Sequence, residues 1–452
     1  MIKLPTILFS SLLIQTAAFA PILSAPHLAG KIIPQNHVQG NLFSQQTLYM
    51  SQSSSTTENQ IEGQKTWTPK ISNFDDRRIL RERAYNQEKI GTIGFHHIEF
   101  VCGDAKSMAT QFSLALGMPM ICMTGQSTGN DKCVSYGLQS GNVRFLMTAP
   151  YSQAVTQLQN MEEKEDTEAD APQPLPSFDG AKYHEFFRQH GLAGVAIGLS
   201  VQDAKKAYDV AVANGAKSVL EPTYVPACKD IQERMKDDDK GEFGCHMAEV
   251  ELYGDVVLRF LRFDSEIYLQ TLHEGMEKGS AMSILPHMKP IYNQSDESSR
   301  KTFSTYGLER IDHAVGNVPN LYEALTYIQK LTGFHEFAEF TPEDVGTVDS
   351  GLNSVVLASD SEYVLLPINE PTEGRRKSQI QTFLEQNEGA GLQHLALKTN
   401  DIFSTIRKMK FAEEEMGIGF ELMKRPSDTY YKELPERLGD KLSVRVYYII
   451  IS

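Results

Sequence analysis

Residues 312–334 read DHAVGNVPNLYEALTYIQKLTGF. A short strand-like run opens on Asp312-His313-Ala314-Val315 and leads to Asn320, a side chain able to cap a helix. Leu321, Leu325 and Ile328 then recur three and four residues apart, the stripe of an amphipathic helix. The same pattern returns three more times. HHIEFVCGDAKSMATQFSLALGM (96–118) has Asp104 as cap, Met108 and Phe112 on the buried face, and Gly117 ending the helix. GVAIGLSVQDAKKAYDVAVANGA (194–216) repeats it with Asp203, Ala207, Val210 and Gly215, and GLQHLALKTNDIFSTIRKM (391–409) with Ile402, Ile406 and Met409. An internal repeat of this kind decides the architecture before any single residue does.

Three copies close on a strongly apolar strand, Val143 to Met147, Val256 to Phe260 and Tyr363 to Pro367; the fourth does not. Strand, helix and three strands, taken in pairs, is the βαβββ arrangement in which two modules curl around a common cavity. The fold class is therefore α+β, with two open barrels, the second incomplete. The expected boundaries are 90–265 for the first pair, 266–305 for a linker centred on the polar stretch Asp264 to Thr305 with its Asn293 to Ser299 cluster, and 306–442 for the second pair. The acidic stretch from Met161 to Pro176 reads as a solvated loop.

Composition narrows the partners. A chain of 452 residues with 41% hydrophobic content has room for a substantial core, and a net charge of −15 argues against nucleic acid or an anionic membrane surface. A small molecule is the expected partner. The five cysteines contain no CxxC pair and read as reduced thiols, not a disulfide framework. Residues 1–85 form a targeting presequence and leader: an apolar run from Leu4 to Ile14, the small-x-small pattern Ala18-Phe19-Ala20, then a Ser, Thr and Gln-rich stretch with no acidic residue before Glu58. A signal peptide followed by a transit peptide predicts a plastid, with the secretory pathway or the cytoplasm as alternatives and no membrane in the mature form.

In such cups the metal ligands stand on the first strand of each module and on the last strand of the second. His97 of the first module matches His313 of the third, whereas Gly194 is read as the match of His394, and Arg259 stands near the expected carboxylate. Glycine offers no ligand and arginine repels a cation, so the N-terminal cup is expected to be metal-free, with His97 packed or hydrogen-bonded. The C-terminal cup keeps both His313 and His394. Two imidazoles and a carboxylate with open positions are the donor set of non-haem Fe(II) oxygenases. His184, His190, His246 and His335 lack matching partners and read as surface or core residues.

RIDHAVGNVPN, GFHEFAEFTPEDVGT, GLNSVVLAS, LLPINEP and KSQIQTFLEQNEGAGLQHLAL are similar to the 4-hydroxyphenylpyruvate dioxygenase family of the vicinal oxygen chelate, or glyoxalase-like, superfamily, as are FHHIEFVCGDA and EVELYGDVVLRF more loosely. The resemblance implies Fe(II) held by His313 and His394, and a substrate pocket of Ser354, Pro367, Asn369 and Gln379, with Gln379 and Gln393 as catalytic residues. It also implies 4-hydroxyphenylpyruvate and O2 as substrates, homogentisate and CO2 as products, and a homo-oligomer. A hydroxymandelate synthase-like enzyme is the alternative within the same fold.

The resemblance fades after Leu442, where the family continues to a strand bearing the carboxylate ligand. Here the chain reads SVRVYYIIIS, and no acidic residue follows Asp440. Residues 443–452 are accordingly read as an aberrant tail, from a truncated isoform or a gene-model artefact. The third carboxylate ligand is expected to be absent, leaving an unpaired sheet edge and little homogentisate formed by this chain.

Overall fold

The computed structural model describes residues 88–152, 173–226, 244–264, 284–291, 305–340, 352–373, 377–422 and 448–451. The presequence, residues 161–172 of the acidic stretch, Cys228, the Asn293 to Ser299 cluster, Asp440 and residues 443–447 of the tail lie outside them.

The first module runs β1 (Thr92–Val101), α1 (Ala105–Leu116), β2 (Met120–Thr124), β3 (Cys133–Ser140) and β4 (Val143–Pro150). After α2 (Gly180–His190) the second runs β5 (Ala193–Val201), α3 (Ala204–Ala213), β6 (Ser218–Pro226), β7 (Gly244–Tyr253) and β8 (Val256–Phe263), and a short β9 (Lys289–Pro290) follows. The third comprises β10 (Leu308–Asn317), α4 (Leu321–Thr332), β11 (His335–Phe340), β12 (Leu352–Ala358) and β13 (Leu365–Pro371). After α5 (Gln379–Gln386) come β14 (Gly391–Thr399), α6 (Ile402–Glu414) and β15 (Tyr448–Ile451). The helix starts are capped as the repeat requires: Asp104, Asp203 and Asn320, and Asp401 in the fourth copy, each accept a backbone N–H three residues on. Gly117 ends α1 at φ 64°, the left-handed conformation that costs glycine nothing.

One sheet has the order β6-β7-β8-β5-β1-β4-β3-β2-β9, the other β11-β12-β13-β10-β14-β15. At the centre of each, the first strands of paired modules run antiparallel, β1 beside β5 and β10 beside β14. Alternation along the strands then gives each sheet two faces. In the second sheet Ala314, Val355, Leu357, Leu366, Ile368, Leu395 and Leu397 face outward into a core shared with Leu321, Leu325, Ile328 and Leu331 of α4. Burying each of the Val, Leu and Ile side chains is worth roughly 1.5–3 kcal/mol. The cores of the two halves are continuous. Phe112 of α1 meets Phe420 edge-on at 4.9 Å, and the Tyr327 hydroxyl donates to the Glu251 carbonyl at 2.8 Å. Gly254 has φ 52°, and a Cβ there would lie 2.2 Å from the Ala390 carbonyl, so the halves close only on glycine.

Three expectations need correction. The stretch 266–305 is not wholly a linker. Ile284, Leu285 and Met288 are buried in the N-terminal cup, and Lys289–Pro290 extends its sheet, because an Ile-Leu-Pro-His-Met run inside polar sequence gains more from burial than from solvent. Leu175, at the end of the supposedly solvated acidic stretch, is buried with them. The outer edge of β14 is not bare over Leu395–Lys398: Tyr448–Ile451 pairs with it. The pairing is antiparallel, whereas β8 beside β5 is parallel. A run of β-branched and aromatic residues has the propensity to take such an edge.

Candidate metal and substrate site

The concave face of the second sheet is set by register. His313, Val315 and Asn317 alternate along β10. Across β13 they face Leu365 and Asn369, with Pro367 between; across β12 come Ala358, Val356 and Ser354. On the other side Val315 pairs with His394 and His313 with Ala396. The two imidazoles thus project from neighbouring strands onto one face, ring centroids 5.9 Å apart and planes at 76°. Helix α5 covers part of this face, sending Ile380 and Leu384 onto Leu352, Val356, Ala358 and Leu365.

Each histidine is preceded by one extra residue in its ladder. Between the pairs Ile311–Leu397 and His313–Ala396 the extra residue is Asp312; between Val315–His394 and Gly316–Leu392 it is Gln393. Such bulges re-aim side chains, and here each bulged side chain reaches the ring beside it. Asp312 Oδ2 lies 3.0 Å from His313 Nδ1, and Gln393 Oε1 contacts His394 Nδ1. Arg310 holds the other Asp312 oxygen at 2.8 Å. An acceptor at Nδ1 selects the tautomer whose Nε2 carries a lone pair, the form in which a histidine binds a metal. Burial, and secondarily His313, holds the His394 imidazole well below its ordinary pKa and therefore neutral, as ligation requires. The donor set fits a divalent metal. Among the described residues no group of three His, Cys, Asp or Glu side chains converges on a metal position.

Of the expected pocket residues, Ser354, Pro367 and Asn369 are buried on the same face as the histidines, and Gln393 stands beside His394. Gln379 is the exposed first residue of α5, whose amphipathic period turns Ile380 and Leu384 inward. Asp312, Arg310 and Asn317 were missed. The Asp-His dipeptide was a signal for the first, and the two-residue alternation running on from His313 was a signal for the last.

The N-terminal cup answers differently. Its ladder has bulges at His96 and Val195, which puts Ala196, not Gly194, at the position of His394. Glu99 pairs with Ala196 as Val315 pairs with His394, each beside a matching bulge, and alanine offers no ligand. Arg259 is wholly buried and donates to Glu249, to Glu99 at 2.7 Å and to His97 Nε2, which lies 2.9 Å away. Burial works against its charge, but the two carboxylates outweigh burial and hold the guanidinium firmly protonated. The Tyr183 hydroxyl of α2 donates to Glu99, and Leu175, Ile284, Leu285 and Met288 fill the remaining space. His97 is thus hydrogen-bonded in a filled cup.

Burial depresses the pKa values of both His96 and His97 far below that of a free imidazole, with charged neighbours adding to the effect. Acid therefore favours the unfolded chain, where these rings protonate near pH 6.5. The sign is a loss of stability as pH falls below about 6.5, by up to about 1.4 kcal/mol per pH unit for each ring. Urea unfolding at pH 7.5 and 5.5 measures it; equal midpoints would show that the rings are not held neutral. The other histidines are ordinary: His190 bridges the Asn387 carbonyl at 2.6 Å and Asp255 at 3.0 Å, and His184 meets the Tyr151 carbonyl. His335 is buried and His246 is exposed.

Paired βαβββ modules with an imidazole pair on one concave face define a class. Residues 310–434 match the Glyoxalase/Bleomycin resistance protein/Dioxygenase superfamily. The chain is 47% identical over 350 residues to 4-hydroxyphenylpyruvate dioxygenase of Arabidopsis thaliana, covering 77% of this chain and 69% of that one. It is 42% identical over 357 residues to the Hordeum vulgare enzyme of the same name, covering 79% and 70%. A solved mutant of 4-hydroxymandelate synthase from Streptomyces coelicolor shares the fold at TM-score 0.54 and 16% identity, covering 80% of this chain and 87% of that one. The chain belongs to the 4-hydroxyphenylpyruvate dioxygenase family, oxidoreductases that are metal-dependent dioxygenases of a small-molecule substrate.

Proposed function

We propose that the protein converts 4-hydroxyphenylpyruvate and O2 to homogentisate and CO2, with Fe(II) held through His313 and His394. The observation that carries the reading is the pair of buried imidazoles, each with Nδ1 engaged by the residue before it, in a chain 47% identical to a plant enzyme of that name. Bound Fe(II) would supply, with the keto acid, the electrons that O2 accepts. The chain's own residues do the rest. Asp312 and Gln393 hold the two rings in one tautomer and orientation. Ser354 and Asn369 present neutral polar atoms to the substrate, Pro367 and Val356 give the wall shape, and α5 keeps water from the apolar side.

Product identity tests the reading independently of rate. Given Fe(II), ascorbate, O2 and 4-hydroxyphenylpyruvate, whatever aromatic product forms is homogentisate, with one CO2 released for each. 4-Hydroxymandelate as the main product would overturn the assignment in favour of the synthase alternative. The apolar then acid-poor composition of residues 1–57 supports import into a plastid, testable by fusing residues 1–85 to a fluorescent protein. A homo-oligomer is proposed from the family resemblance, with light scattering as its measurement.

A further inference from the structure

Beyond the imidazoles, the concave face carries a row of neutral polar side chains that crosses three strands. Asn317 of β10 lies opposite Asn369 of β13, which lies opposite Ser354 of β12. Their exposures are 0%, 5% and 2%. Asn369 Nδ2 donates to Asn317 Oδ1 at 3.1 Å. Asn317 Nδ2 and Ser354 Oγ have no hydrogen-bond partner among the described residues. Leaving a buried polar group unmet costs about 1–3 kcal/mol, and these two flank Asn369 in one row on the concave face.

Position and chemistry say what the row takes. Val315 faces His394, and Asn317 is the next residue on the same face, about 7 Å further along the strand. That is the span of a para-substituted ring with its methylene. An arylpyruvate is anionic at one end and neutral at the other. Its keto acid belongs at the imidazole pair, where a cation would sit. A row with no charged member suits a neutral hydroxyl and not a carboxylate, which would call for Arg or Lys.

We propose that Asn317 is a specificity-determining residue for the ring hydroxyl of the substrate. By accepting from Asn369 Nδ2 it aims the Asn369 carbonyl oxygen into the cup. Its own Nδ2 and Ser354 Oγ supply the donors on either side, so one hydroxyl can both donate and accept. The assignment rests on the substrate proposed above and adds a residue to it. A site built to hydrogen-bond a hydroxyl discriminates strongly against the analogue that lacks it.

The test titrates the Fe(II)-loaded chain, without oxygen, with 4-hydroxyphenylpyruvate and with phenylpyruvate. The native protein is expected to favour the hydroxylated ligand by about tenfold or more. Asn317→Leu, branched at the same atom but apolar, is expected to lose about tenfold in affinity for 4-hydroxyphenylpyruvate while phenylpyruvate changes by about twofold or less. Selectivity, not melting temperature, distinguishes this from a structural role: the substitution also takes the acceptor from Asn369 Nδ2 and lowers stability in either case, but a purely structural asparagine would weaken both ligands alike. If Asn317→Leu does not fold, Asn317→Ser carries the same comparison. Equal loss for both ligands, or unchanged selectivity, overturns the role of Asn317 and leaves the substrate assignment standing. Failure of the native chain to bind 4-hydroxyphenylpyruvate overturns the substrate assignment, and this proposal with it.

Discussion

Arg259→Met is expected to lower the unfolding free energy by about 3–5 kcal/mol, the cost of breaking a buried ion cluster from one side. Arg259 has no solvent contact and is the one guanidinium shared by Glu99, Glu249 and His97. Without it two buried carboxylates lose the guanidinium that bridges them. They must either protonate or draw water into the cup. A loss of that size is a large part of the roughly 5–15 kcal/mol that holds a domain folded, so low yield accompanies it. The triple variant carrying also Glu99→Gln and Glu249→Gln is expected to recover much of the loss, because neutral groups of the same shape need no counter-charge. Urea denaturation of the three proteins measures this. A native-like midpoint for Arg259→Met alone would show that the cluster contributes nothing to stability.

His313→Ala and His394→Ala are each expected to weaken Fe(II) binding by more than the roughly 10–100-fold that loss of an outer hydrogen-bond partner costs. Asp312→Ala, which strips the acceptor from His313 Nδ1 but leaves the ring, falls within that 10–100-fold range. His335→Ala is the control: it is a buried histidine of the same sheet with no place in the pair, and metal affinity is expected to stay at the native value. Anaerobic Fe(II) titration against a competing chelator measures all four. Native affinity in either ligand variant would place the metal elsewhere.

Both expectations come from places where the repeat treats its copies differently. His97 and His313 occupy equivalent positions on β1 and β10, and each follows a bulged residue. What differs is the partner strand. β14 sends an imidazole onto the face, whereas β5 sends Ala196 and β8 sends Arg259. The absence of a second histidine in the N-terminal half was legible from residue type alone. Its alignment was not: Gly194 and Ala196 differ by a ladder irregularity at Val195, and a bulge leaves no mark in composition.

Local chemistry is what the amino-acid order determined by itself: four strand-to-helix units with their Asx caps and apolar stripes, two histidines in matching places, and a first half with no second histidine to match His394. These depend on neighbours within a helical turn or a strand pleat, whose periods are written into the chain. Tertiary structure alone decided that Leu175 and Ile284–Met288 fill the first cup, that Tyr448–Ile451 lies against β14, that Gln379 faces solvent, and that Asn317 meets Asn369 across two strands. Each of those outcomes is a contact or an exposure set by packing between segments far apart in sequence, and burial rewards whichever distant partner completes the surface, a choice that no local period encodes.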